Sequence, residues 1–254
     1  MTDESRPTVR VAAVGDIHVK DTRDARDTGL RALLADIEAN ADILCLCGDL
    51  TNQGLPTEAK VLVRDLAEIK IPIVGVLGNH DMEAGQHEEL NDILCDAGIH
   101  MLEGNPIEIA GVGFAGVKGF AGGFGRHMLE PWGEKIIKEF VFETINEALS
   151  LESGLARLRT PSKIAVLHYA PIVDTVAGEP SEIFAYLGSS RLVEPLERFG
   201  VTAAFHGHAH HGSHRGRTAT GVPVYNVSLP LMRQESPDHP YFVMDVAVAE
   251  TSTA

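Results

Sequence analysis

Twelve histidines occur in the 254 residues, and five of them (His206, His208, His210, His211 and His214) fall within nine consecutive positions. Imidazole is the commonest metal-ligand side chain, so the cluster points to metal chemistry. Upstream, Asp16, His18, Asp49, Asn79, His80 and His168 stand in polar clusters at the ends of apolar stretches. Asp16 and Asp49, the imidazoles of His18, His168, His208 and His210, and the Asn79 amide oxygen form a mixed O/N donor set. That set suffices for two divalent first-row metals with positions left for water and substrate, and His80 is left over. The pairs Asp16/His18 and His208/His210 have i, i+2 spacing, which in an ideal strand puts both members on one face. Singly, each residue also has a structural explanation: a His bonded to backbone, an Asp capping the next helix, an Asn turning the chain. Only their convergence would decide for chemistry.

The elements expected to position them read as an α/β chain. Residues 9–19 form a β-branched and apolar strand running into Gly15-Asp16-Ile17-His18. A helix with Leu30, Leu33, Leu34 and Ile37 on one face follows, then a strand over 42–50 ending in Gly48-Asp49. A helix over 56–70 carries Pro56 in its first turn, and a strand over 71–77 ends in Gly78-Asn79-His80-Asp81. Such a series, with nearly continuous apolar strands, implies a parallel sheet buried on both faces. Beyond it the pattern predicts a helix over 88–97, two short strands within 99–117, a long amphipathic helix over 134–159 and a strand over 163–168. A helix over 192–199, a strand over 201–205 and short antiparallel strands at 213–218, 222–227 and 241–248 complete the chain. Each polar cluster falls at the C-terminal end of a strand, the edge where open α/β sheets bind ligands. Gly111-x-Gly113-x-x-Gly116 imitates a dinucleotide fingerprint, but no helix opens after Gly116 to receive a pyrophosphate, so we read a strand and a surface loop.

Composition sets the outer bounds. A net charge of −15 argues against sequence-independent nucleic-acid binding and against docking on anionic lipid. Residues 1–254 are long enough to bury a core without disulfides, and we expect one domain with tails at 1–8 and 249–254. Cys45, Cys47 and Cys95 are expected to be small core residues in a reducing compartment. The first ten residues hold no apolar run of signal-peptide type and no stretch approaches a membrane span, so the expected location is the cytoplasm. Asn226-Val227-Ser228 then matches the glycosylation pattern by chance.

Taken in order, Asp16-Ile17-His18, Gly48-Asp49, Gly78-Asn79-His80-Asp81, His168 and Gly207-His208-Ala209-His210 resemble the calcineurin-like metallophosphoesterase family. The resemblance implies a four-layer α/β/β/α sandwich with mixed sheets. It implies Asp16, His18 and His210 on one divalent metal ion, Asn79, His168 and His208 on the other, and Asp49 bridging both. It implies His80 over the substrate phosphate, with Asp81 orienting it, although Asp81 by position alone is equally a helix cap. Two such ions, roughly 4 Å apart, share a water and lower its pKa to near neutrality, so that the bridging hydroxide attacks the phosphate in line. The same ligands accept Mn, Fe, Zn or Co. Two divalent ions against two carboxylates and one hydroxide leave a single positive charge, which explains how an acidic protein holds an anion.

The second motif lacks the Asp and Arg of protein phosphatases, reading Gly48-Asp49-Leu50-Thr51-Asn52-Gln53-Gly54 instead. The chain is more similar to the bacterial group that includes class III cyclic-nucleotide phosphodiesterases, which implies a small phosphodiester substrate, with a monoester as the alternative. Candidate substrate contacts are Arg126 and His127 in the glycine- and aromatic-rich segment 118–133, Tyr169 beside His168, and Arg233 in a loop over 229–240. The segment 118–133 reads either as a lid or as a solvated loop. His206, His211 and His214 are expected to flank the ligands rather than join them. A non-catalytic, protein-binding scaffold on the same fold is the competing reading, and the oligomeric state stays open.

Overall fold

The computed structural model describes residues 7–21 and 29–249. In chain order, β1 (Thr8–Val14), α1 (Leu30–Asn40), β2 (Ile43–Cys47), α2 (Pro56–Leu66), β3 (Ile73–Val76), α3 (His87–Asp96) and β4 (His100–Met101) build the first half. The second half runs β5 (Ile107–Ile109), β6 (Val112–Val117), α4 (Lys135–Arg157), β7 (Ser162–Leu167), α5 (Phe184–Leu187), α6 (Val193–Arg198) and β8 (Ala203–His206). It closes with β9 (Arg215–Arg217), β10 (Pro223–Asn226), α7 (Leu229–Glu235) and β11 (Phe242–Ala247). One sheet has the order β11-β1-β2-β3-β4 and the other β5-β6-β7-β8-β10-β9. Both are mixed: β11 is antiparallel to β1, and β5 and β9 are antiparallel edges on an otherwise parallel sheet.

Side-chain alternation decides the layering. Along β2, Ile43, Cys45 and Cys47 face a core shared with Phe114, Val166 and Phe205 of the other sheet. Leu44 and Leu46 point the opposite way, onto Leu34, Ile37, Leu62, Leu90 and Leu94 of α1, α2 and α3. The second sheet repeats the device. Ile164 and Val166 face the inter-sheet core, while Ala165 and Leu167 meet Leu151 and Leu155 of α4 and Leu196 of α6. The result is the expected α/β/β/α sandwich.

Several local expectations change. The strand expected over 9–19 ends at Val14, and the chain beyond it runs on only as isolated bridges, Gly15 to Ser228 and Val19 to Thr51. Three strands, not two, occupy 99–117. Of the trio expected to be antiparallel together, β10 is parallel to β8, and β11 leaves for the other sheet to pair with β1. The loop expected over 229–240 begins as α7, with Pro230 in its first turn. Cys45 and Cys47 are buried, whereas Cys95 is exposed on α3. Of the expected tails, 1–6 and 250–254 lie outside the described residues, while Thr8 is already in β1 and Pro7 accepts a hydrogen bond from Val248 N–H. No helix among the described residues is long and apolar enough to cross a membrane.

Candidate metal centre

The candidate ligands lie on loops that leave the strand ends and zip together through backbone. Asp16 N–H donates to Gly48 C=O and His18 N–H to Asp49 C=O, each at 3.0 Å. Five described non-glycine residues have positive φ, and four of them are candidate ligands: Asp16 (57°), His18 (50°), Asp49 (49°) and His208 (71°). Left-handed backbone costs such a residue of order 1–3 kcal/mol and persists only where the surroundings impose it. Here it breaks the strand alternation, turning the side chains toward one centre. The motif glycines make the room: a Cβ on Gly207 would collide with Oδ2 of Asp16, and one on Gly78 with Oδ1 of Asp49.

Three groups are placed to hold a cation, their donor atoms all within 4.8 Å of one another: Asp16/His18/His210, His18/Asp49/His80 and Asp49/His168/His208. Two observations test whether cations suit them. Both ring nitrogens of His18 are buried and have no hydrogen-bond partner. His168 faces the Cys47 carbonyl with Nδ1 (3.0 Å), and Asn79 Oδ1 (2.9 Å) and Asp49 Oδ1 (3.3 Å) with Nε2. In either neutral tautomer one ring nitrogen therefore meets carboxylate or carbonyl oxygen without a proton between them. Protonating both nitrogens is opposed by burial, which pushes His168 down to about 3. Lone pairs converging on one point are what a cation satisfies. Burial likewise lowers His208 to about 3 and His18 to about 4, keeping both rings neutral and available as donors. Asp16 is pushed up to about 6 by burial, against the hydrogen bond it accepts from His210 Nε2 at 3.0 Å. His210 is raised by that same bond.

His80 stands apart. Its side chain is 39% exposed, its Nδ1 lies 2.8 Å from the Asn52 carbonyl and its Nε2 lies 4.0 Å from Asp49 Oδ2. Donation from Nδ1 to that carbonyl fixes the ring and leaves Nε2 toward the centre. Asp81 does not orient it, a correction to the expectation. The buried Asp81 carboxylate instead accepts from the N–H groups of Leu50, Thr51 and Gly78 and from the Thr51 hydroxyl, at 2.6 to 3.1 Å. It ties the second motif to the third, a cap-like role for an internal carboxylate.

Tyr169 is buried, its ring centroid 4.4 Å from that of His208. Arg126 and His127 are exposed in a short turn and hydrogen-bond to each other at 3.2 Å; no side-chain hydrogen bond joins either to a candidate ligand. The segment 118–133 is neither free nor wholly solvated. Gly122 and Gly123 N–H donate to Ala185 and Gly188 C=O, and Phe120 packs on Phe140 and Tyr169. His206 is buried, with Nε2 2.8 Å from the Thr175 hydroxyl, His214 contacts the Asn226 carbonyl, and His211 is exposed. All three flank the groups above without joining them.

The sequence reading missed Asn52 and Tyr186, which act through backbone carbonyls that any residue supplies. It also missed Lys118. That side chain pairs with Glu147 at 3.1 Å over the rings of Phe120 and Tyr169, and its carbonyl accepts from His168 and Tyr169 N–H. A lysine directly after the apolar strand β6 was the available signal.

The family model described as calcineurin-like phosphoesterase matches residues 9–212. No curated protein matches the chain significantly in sequence. Among solved structures, phosphopantetheinyl hydrolase from Mycobacterium tuberculosis is 14% identical, with a TM-score of 0.66 and 98% of each chain covered. The protein TT1561 of Thermus thermophilus is 13% identical, with a TM-score of 0.54, 96% of this chain and 100% of that one covered. GAP50, the anchor in the inner membrane complex of Plasmodium, is 16% identical, with a TM-score of 0.52 over 88% of this chain and 72% of its own. At such identities the structures establish a shared fold, and the family match over most of the chain adds the rest: this protein belongs to the calcineurin-like phosphoesterases.

Proposed function

We propose that the chain is a dinuclear metallophosphoesterase that hydrolyses small phosphodiesters. The observation that carries this is the position of Asp49, which belongs both to the group with His168 and His208 and to the group with His18 and His80. Asp16, His18 and His210 would hold one divalent ion and Asn79, His168 and His208 the other, with Asp49 between them. Ions drawn from Mn, Fe, Zn or Co would there supply an activated water and offset the charge that builds on the phosphate. His80, its Nδ1–H donated to the Asn52 carbonyl, would in its imidazolium form present Nε2–H to hold the phosphate or protonate the leaving oxygen. Two divalent ions against Asp16, Asp49 and one hydroxide would leave a single positive charge, which a diester carrying one negative charge matches and a monoester carrying two exceeds. The reading also has one domain carrying one centre, acting in the cytoplasm on a diffusible ester. The net charge of −15 supports a small substrate over an extended nucleic-acid track.

The test is hydrolysis of bis(p-nitrophenyl) phosphate by the purified Mn²⁺-loaded protein, with p-nitrophenyl phosphate as the monoester control. His80→Ala is expected to lower kcat by about 10²- to 10⁴-fold while elemental analysis still finds two metals. Preference for the monoester would overturn the diester assignment. A metal-loaded protein inert toward linear diesters, cyclic nucleotides and a phosphopantetheinyl ester would favour the scaffold alternative.

A further inference from the structure

A cavity of about 180 Å³ opens beside His18, between residues 17–20 and helices α1, α2 and α7. His18 lines it, so a single residue belongs both to this cavity and to two of the cation groups. Its walls are apolar, from Leu33, Val61 and Leu229 among others, and an apolar cavity of about 150 Å³ accommodates a benzene-sized ring. Charge collects at the edge. Asp65 there is met by two guanidiniums, Arg31 Nε at 2.9 Å and Arg64 Nε at 3.3 Å, and Lys20 and Arg233 add two more positive groups. A basic rim on an apolar cavity is out of keeping with a chain of net charge −15, and His18 joins that cavity to the candidate centre.

We propose that this cavity binds the organic group of the ester, and that it selects a compact apolar group no larger than about one ring that carries an anionic substituent. The proposal rests on the phosphoesterase reading. The apolar part fills the space between Leu33, Val61 and Leu229, and the anionic substituent reaches Lys20 and Arg233 at the rim. Arg233, singled out in the sequence as part of a loop, gains a fixed place for this role from α7.

The experiment compares methyl, phenyl and 4-carboxyphenyl p-nitrophenyl phosphate on the Mn²⁺-loaded full chain. In each, water adds to phosphorus, the bond to p-nitrophenolate breaks, and the organic group stays on the monoester product. We expect kcat/KM to rise from methyl to phenyl by about tenfold or more, as burying a ring predicts, and again from phenyl to 4-carboxyphenyl. Val61→Phe, which fills the cavity, should abolish the phenyl advantage, so that the phenyl-to-methyl ratio of kcat/KM falls to about one. Lys20→Gln with Arg233→Gln should abolish only the carboxylate advantage. Equal kcat/KM for the three esters, or a preference untouched by these variants, overturns the proposal. Turnover of the methyl ester reads the phosphoesterase assignment separately. If all three esters are inert, calorimetric titration with 4-carboxybenzylphosphonate decides: binding lost in Val61→Phe upholds the cavity, and no binding to wild type overturns it.

Discussion

Asp81 shows how much one buried carboxylate can hold. Its four donors come from both the second and third motifs. Asp81→Ala would leave buried N–H groups unpaired at about 1–3 kcal/mol each, so urea unfolding should show a loss of about 3 kcal/mol or more. The pH profile of kcat in the surviving protein should keep its shape, because His80 is held by Asn52. The buried imidazoles give a second expectation at this scale. In the metal-stripped protein His18, His168, His206 and His208 resist protonation down to about 3 or 4, while their unfolded counterparts titrate near 6.5. Below pH 6.5 the unfolded chain therefore takes up protons that the folded chain refuses, and stability falls with pH. Asp16 and Asp81, both raised to about 6, and the buried Glu103, raised to about 7, act oppositely, since the folded carboxyls keep protons that unfolded ones have released, and the raised His210 acts with them. Four imidazoles still outweigh these groups. Unfolding free energy at pH 5 should be lower than at pH 7 by about 2 kcal/mol, and a value that holds or rises would refute the balance.

Within the loops that end the strands, the glycines matter as much as the ligands, because each removes a Cβ from the path of a carboxylate. Gly207→Ala should displace Asp16 and reduce bound metal from two ions toward one. Gly78→Ala, acting on Asp49, should reduce it further; elemental analysis with unchanged far-UV circular dichroism would read both effects. These loops were legible because each follows a strand whose apolar run ends abruptly, in Gly with Asp, Asn or His at Gly15, Gly48, Gly78 and Gly207 and in His168 alone after β7. The strands were legible for a similar local reason, as Ile43 to Cys47 buries every side chain on one core or the other. Pairing was not legible where it is non-local: nothing near residue 242 announces that β11 lies antiparallel to β1. The helix α7 was missed although Ser228-Leu229-Pro230 is a helix-start signal, because Pro230 and the polar residues after it also suit a loop. Asp81 was assigned to His80 by the family resemblance, whereas its side chain points back to Leu50 and Thr51, closer to the cap that its position alone also allowed.

Across the whole molecule, metal should act as a ligand of the folded state only. At a free concentration of about one hundred times Kd it adds about 2.7 kcal/mol, so chelation should lower the thermal midpoint by about 5–10 °C. An unchanged midpoint on chelation would mean that the groups hold no ion. The donors have a further property that follows from the topology. Asp16, His18, Asp49 and Asn79 come from loops of the β1–β2–β3 sheet, and His168, His208 and His210 from loops of the β7–β8 sheet. Each proposed ion would take ligands from both sheets, so it rivets together the two layers whose inner faces enclose Phe114 and Phe205. Affinity for metal and the fit of the core between the sheets then become one quantity measured in two ways, and loosening either must loosen the other.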